Sequence, residues 1–144
     1  MKFLIRNVEI EDSESLTELS NQLGYKSELI EVQKRLMEIL KNNDNCVFMA
    51  LEGEKIVGWG HGFYSRRVES DPFVEIGGLV VDIEYRKKGI GKLLVEEIKR
   101  WASTKKCKKV RVRCNTIRKE THIFYQKLGF EITKNQKVFD KRLK

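Results

Sequence analysis

Apolar and polar positions change their period several times along the chain, and each change predicts an element. Phe3, Ile5 and Val8 alternate well enough for a strand over Lys2 to Val8. Asp12 then stands where a helix cap is needed, with Leu16, Leu19 and Leu23 on one face and Gly24 as the stop. Ser27 is the cap expected for a second helix, whose apolar positions are Leu29, Val32, Leu36 and Leu40. Cys46 to Leu51 and Ile56 to Tyr64 read as strands joined by a turn at Glu52-Gly53-Glu54. Gly58, Gly60 and Gly62 leave one face of that second strand without side chains, so something packs closely against it. Phe73 to Val81 is a further strand. Ile90, Leu93, Leu94, Ile98 and Trp101 form one stripe of a helix. Val110 to Cys114 alternates as a strand, and Ile117 to Leu128 reads as the last long helix, with Gly129 beyond its end. Phe130-Glu131-Ile132 and Val138-Phe139 suggest a short closing hairpin.

Helices interleaved with hairpins predict an α/β (α+β) domain over residues 1–144. Its central sheet should be mixed and largely antiparallel, of about seven strands, with helices on both faces. The unit from Phe73 through the following helix to Val110 should be a parallel crossover.

The stretch Val81 to Leu94 carries the first chemical signal. A buried strand runs into Arg86-Lys87-Lys88-Gly89-Ile90-Gly91-Lys92 and then at once into a helix. Small residues let backbone approach a ligand, and the first N–H groups of a helix point unpaired out of its positive end. This is a recipe for holding phosphates. A Walker A loop fails, because Arg86 takes the first glycine place and Leu93 replaces the magnesium-binding hydroxyl. A dinucleotide fingerprint fails too, because Leu94 replaces its third glycine.

Charge sharpens this. The net +8 is divided unevenly: residues 1–80 hold 9 Lys/Arg against 14 Asp/Glu, and residues 81–144 hold 20 against 7. A basic surplus that begins at a phosphate-type loop suggests a polyanion held by the second half, and the acidic first half suits a cationic partner. No run approaches the roughly 20 apolar residues of a membrane span. The start of the chain, Met1 to Arg6, is interrupted by charge too early for a signal peptide. Cys46, Cys107 and Cys114 lack metal-ligand spacing and read as reduced thiols of a cytoplasmic protein. No metal is called for.

Arg86-Lys87-Lys88-Gly89-Ile90-Gly91 resembles the Arg/Gln-x-x-Gly-x-Gly/Ala loop of the GNAT superfamily of acetyl-CoA-dependent N-acetyltransferases. Gly78 to Tyr85 looks like the strand leading into that loop. Phe124-Tyr125-Gln126-Lys127-Leu128-Gly129-Phe130 resembles the family's tyrosine-bearing helix end. The resemblance implies that Arg86, Lys87, Lys88, Gly89, Ile90, Gly91 and Lys92 hold the phosphates of acetyl-CoA. It also implies that Leu79, Val80 and Val81 pair with the pantetheine arm, helped by Asn115, and that Tyr125 gives a proton to the departing thiolate. A phenol of ordinary pKa about 10 is suited to that task at neutral pH.

An amine nucleophile must shed a proton, and Glu75, in an otherwise apolar strand, is the candidate base. Many members of the superfamily carry Glu at the place of Gly77, where this chain departs. Glu75 could equally be a surface residue on an exposed strand. His122, one turn before Tyr125, reads as a packing or orienting residue, and His61, between two glycines, as structural or substrate-lining. Nothing marks Cys114 as an activated nucleophile. The expected reaction is direct acetyl transfer from acetyl-CoA, in a ternary complex, to a primary amine of a small cationic molecule or peptide. No nucleic-acid or membrane partner is expected, and a homodimer fits the resemblance. The competing reading is a non-catalytic module, either an acyl-CoA sensor or a basic nucleic-acid binder.

Overall fold

The computed structural model describes residues 2–144; Met1, which opens the N-terminal run discussed above, lies outside them. The chain divides into two compact units, Met1–Val112 and Arg113–Lys144.

The first unit is built on one sheet. Its strands are β1 (Leu4–Asn7), β2 (Asn45–Glu52), β3 (Lys55–Ser65), β4 (Phe73–Val81) and β5 (Val110–Val112), in that spatial order. The first three pairings are antiparallel and β4–β5 is parallel. Between β1 and β2 run the helices α1 (Ser13–Gln22) and α2 (Leu29–Leu40), and α3 (Ile90–Thr104) connects β4 to β5.

One face of the sheet presents Val47, Met49 and Leu51 to Val8, Leu16 of α1 and Leu36 of α2, with Val32, Ile39 and Trp59 packed at the border. The other face receives α3 through Ile90, Leu94 and Ile98. The glycines of β3 make that approach possible. A Cβ at Gly58 would stand 3.2 Å from Ile90 Cγ2, and one at Gly60 3.3 Å from Ile98 Cδ1. At Gly62 it would fall 2.9 Å from Ile98 Cγ2 and 3.1 Å from the buried Cys46 Sγ. Helices therefore cover both faces, as the interleaved pattern predicts.

Several local expectations change. Asp12 precedes α1, but its carboxylate does not cap the helix. It turns back to take a two-pronged bond from Arg6, at 2.7 and 2.9 Å, and the Glu9 N–H at 2.8 Å. Charge-assisted paired bonds outweigh a single cap bond. Glu28, not Ser27, holds the N-cap place of α2, without a side-chain cap bond, and the Ser27 N–H is tied back to Asn21 Oδ1 at 3.2 Å. The buried face of α3 is Ile90, Leu94, Val95, Ile98 and Ala102; Leu93 is exposed and Trp101 half-buried, since the stripe lies to one side of the expected line.

The second unit contains α4 (Lys119–Lys127). Gly129 follows in the left-handed region at φ +94°, and the Leu128 and Phe130 N–H groups both close on the Tyr125 carbonyl at 3.0 Å. The expected closing hairpin is absent: among the described residues the sheet has five strands, not about seven. Ile132, Val138 and Phe139 are exposed. Apolar runs of three and two residues give a hairpin too little area to bury, and a lone hairpin is marginal in water.

Candidate functional site

The exit of β4 is held firmly. The Asp82 N–H donates to the Val57 carbonyl at 2.9 Å, and the buried Asp82 carboxylate accepts the Glu84 N–H at 3.0 Å, starting a single 3-10 turn over Ile83–Tyr85. Tyr85 closes that turn and is pinned to the β2–β3 hairpin. Its hydroxyl donates to Glu52 Oε1 at 3.0 Å, and Lys55 Nζ lies 4.9 Å over its ring. Periodicity gave no hint of this anchor, because its partner lies 33 residues earlier.

From this base the chain turns outward. Arg86, Lys87, Lys88 and Gly89 are all exposed. Lys87 sits at φ +62° and Gly89 at φ +84°, so two left-handed residues flank Lys88 where the chain turns into α3. Gly89 is the N-cap and supplies no side-chain cap. The first helical bond runs from the Leu93 N–H to the Gly89 carbonyl at 3.1 Å, leaving the earlier N–H groups without an intrahelical acceptor. Ile90 is buried, so only its backbone can face a ligand, whereas Lys92 is exposed. Exposed cations beside an uncapped helix N-terminus are donors of the kind that phosphate oxygens accept from.

β4 also outruns its parallel neighbour. Pairing with β5 stops at Ile76–Val112, while on the other side β4 stays paired to β3 through Val81. Along Gly77–Val81, β5 offers no ladder, and this is where Leu79, Val80 and Val81 lie. An extended, amide-rich chain can use such an edge. Glu75, one residue before the last β5 pair, is buried opposite Phe63 and in register with Arg111.

In the second unit Tyr125 is buried between two rings, edge-on to Phe124 at 4.9 Å and to Phe130 at 5.3 Å. Burial first, and the neighbouring Cys114 next, push its phenol above the ordinary range, against an opposing pull from Arg118. It is therefore protonated throughout the neutral range. Asn115 spends its carboxamide oxygen on the Ile117 N–H at 3.1 Å, so its NH2 group is the part left to offer a ligand. His122 Nε2 donates to the Asn115 carbonyl at 2.8 Å and ties α4 to that turn. Burial raises the Cys114 thiol, which gives no support to a thiolate nucleophile.

Among the described residues, no cluster of three or more His, Cys, Asp or Glu is placed to hold a metal ion, and no helix is long and apolar enough to cross a membrane.

The model of the acetyltransferase (GNAT) family matches residues 12–130. The aminoglycoside N(6')-acetyltransferase type 1 of Salmonella typhimurium is 29% identical over 112 residues, 73% of this chain and 75% of that one. Among solved structures, the glucosamine-6-phosphate N-acetyltransferase from Arabidopsis thaliana has a TM-score of 0.82 at 28% identity, covering 97% of this chain and 100% of that one. The aminoglycoside acetyltransferase AAC(6')-Iy, in complex with a bisubstrate analogue, CoA-S-monomethyl-acetylneamine, has a TM-score of 0.89 at 22% identity, covering 99% and 100%. That last likeness is one of fold.

Proposed function

The chain belongs to the acetyltransferase (GNAT) family, and from that premise we propose that it moves an acetyl group from acetyl-CoA to a primary amine of a small cationic molecule. Residues 1–144 act in this reading as one N-acetyltransferase domain, supported by a family match that runs through most of both units. The observation that carries the cofactor half is the uncapped start of α3 beneath the exposed Arg86–Gly89 loop. A pyrophosphate brings charge and several acceptor oxygens. The loop offers cations and helix N–H groups, so donor and acceptor sets match.

In this reading Arg86, Lys87, Lys88 and Lys92 draw the phosphates, and the Gly89, Ile90 and Gly91 backbone receives them. Leu79, Val80 and Val81 align the pantetheine arm along the edge of β4 that β5 leaves open, and Asn115 adds its NH2 group. A backbone N–H of the same strand polarises the thioester carbonyl. Tyr125 delivers a proton to the thiolate. Its raised pKa suits a group that must hold a proton until sulfur needs one. Glu75, buried in β4 opposite Phe63, is the carboxylate on the acceptor side.

The acidic first 80 residues and the aminoglycoside-acting relative both support a cationic acceptor. Three free thiols are in keeping with the reducing cytoplasm. The test is a screen of aminoglycosides, linear polyamines and lysine peptides for thiol release from acetyl-CoA, beside calorimetry of acetyl-CoA alone. Binding with amine-dependent release is expected; binding without release from any amine would leave a sensor instead of an enzyme.

A further inference from the structure

Gly77 is exposed at the point where β4 outruns β5. On its β3 side the register is irregular as well. β3 and β4 slip between His61 and Gly62, so His61 pairs with Gly78, Gly62 pairs with Ile76, and Gly77 is left over as a bulge. A bulge bends its strand and re-aims the side chains around it.

Three rings of β3 pack against the bulge. A Cβ on Gly77 would stand 3.1 Å from His61 Nδ1 and 3.1 Å from Phe63 Cε1, and one on Gly78 would fall 2.8 Å from Trp59 Cη2. The imidazole, phenyl and indole edges thus lie close against these glycine backbones, which only residues without a Cβ allow. The same face carries a buried Trp59 Nε1 with no hydrogen-bond partner.

The far side of the imidazole is already engaged, with His61 Nε2 lying 2.9 Å from Asn45 Oδ1. A carboxamide oxygen only accepts, so Nε2 carries the ring proton and Nδ1 presents its lone pair toward Gly77. Burial disfavours the imidazolium and lowers the pKa below the ordinary 6.5, which keeps the ring neutral at pH 7. From β4 the ionisable group beside it is Glu75, across from Phe63. β2 presents Asn45 and Val47 here, neither of them ionisable. Glu75 is buried, whereas Nδ1 borders the exposed glycine.

We propose that His61 Nδ1 is the base that takes the proton from the acceptor amine, which approaches at the exposed Gly77. The inference rests on the acetyltransferase reading above. An ammonium R–NH3+ passes one proton to Nδ1 and becomes R–NH2. Its lone pair forms the new C–N bond at the thioester carbonyl carbon, and the C–S bond breaks with its electron pair on sulfur. The nitrogen gives up a second proton as sulfur gains one, and the imidazolium returns its proton to water. Amide, thiol and one proton leave.

The test compares wild type, His61→Ala and His61→Gln for thiol release with an aminoglycoside and a linear polyamine between pH 5 and 9. Calorimetry of acetyl-CoA and thermal unfolding serve as checks on folding. Wild-type kcat/KM should fall on the acid side with an inflection below 6.5. Both variants should lose about 100-fold or more in kcat at pH 7 and lose that inflection, with acetyl-CoA affinity kept. Added imidazole should restore His61→Ala roughly tenfold, which repair of packing alone would not do. If either folded variant keeps the wild-type rate and profile, or if imidazole leaves His61→Ala unchanged, the assignment to His61 is overturned while the acetyltransferase reading stands. A wild type that releases thiol with no amine overturns both.

Discussion

Gly62 and Ile98 are fitted to each other across the β3–α3 contact: the Cβ that Gly62 lacks would lie 2.9 Å from Ile98 Cγ2, closer than carbon atoms pack. Ile98 is fully buried and branched at Cβ, so it has little freedom to turn away. Cys46 Sγ closes the other side at 3.1 Å. We expect Gly62→Ala to cost about 1–3 kcal/mol, the usual range for an overpacked core. The check is a urea midpoint that falls while the slope m stays constant. An unchanged midpoint would mean that α3 stands further from the strand than described.

Gly89 holds φ +84° at the point where the cationic loop becomes helix. A β-branched residue there is strained by roughly 1–2 kcal/mol and pushes bulk toward the proposed phosphate seat. Gly89→Val should weaken acetyl-CoA by about tenfold or more in calorimetry. Equal affinity for wild type and variant would remove the loop from the cofactor site.

Tyr125→Phe keeps the ring between Phe124 and Phe130 and deletes only the hydroxyl. Turnover should drop by about 100-fold, with acetyl-CoA affinity and thermal midpoint nearly unchanged. Retained turnover would strip Tyr125 of its role as proton donor and leave it as packing.

The Arg6–Asp12 pair makes an acid-side prediction. The Arg6 hydrogen bonds, with a smaller opposing effect of burial, hold the Asp12 carboxyl below its ordinary value of 3.8. A group depressed in the folded state stabilises it fully above its unfolded pKa, and that stabilisation is lost as pH falls toward the lower folded value. Wild type should therefore lose stability on acidification from about pH 5 downward. Asp12→Asn, with no carboxyl to protonate there, should start less stable at pH 7 and show a flatter acid slope. Parallel slopes would mean that the pair contributes nothing.

Much of this architecture was legible because it rests on short-range pattern. β4 runs from Phe73 to Val81 as its apolar run predicts, α3 begins at Ile90 directly after the glycine loop, and the bare face of β3 correctly announced a close neighbour. Other features depend on distant partners. Arg6 claims Asp12 from its cap, and Glu52 claims Tyr85 from the stretch that leads into the glycine loop. The Gly77 bulge arises from a one-residue slip between two strands, and no spacing within either strand records it. His61 was visible as a residue, but its open nitrogen follows only from that slip and from Asn45. The C-terminal runs had strand-like composition without the length to make a strand stable alone.

Cys46 gives the molecule a built-in clock. Burial in β2 beside Gly62 pushes its thiol up to about 12, so in the closed state it is both covered and protonated, while Cys107 and Cys114 are only half-covered. A thiol-reactive dye should modify those two first. It should then wait for Cys46 at a pace set by how often α3 lifts from the glycine face, and that waiting time would measure the opening of this seam without any engineered label.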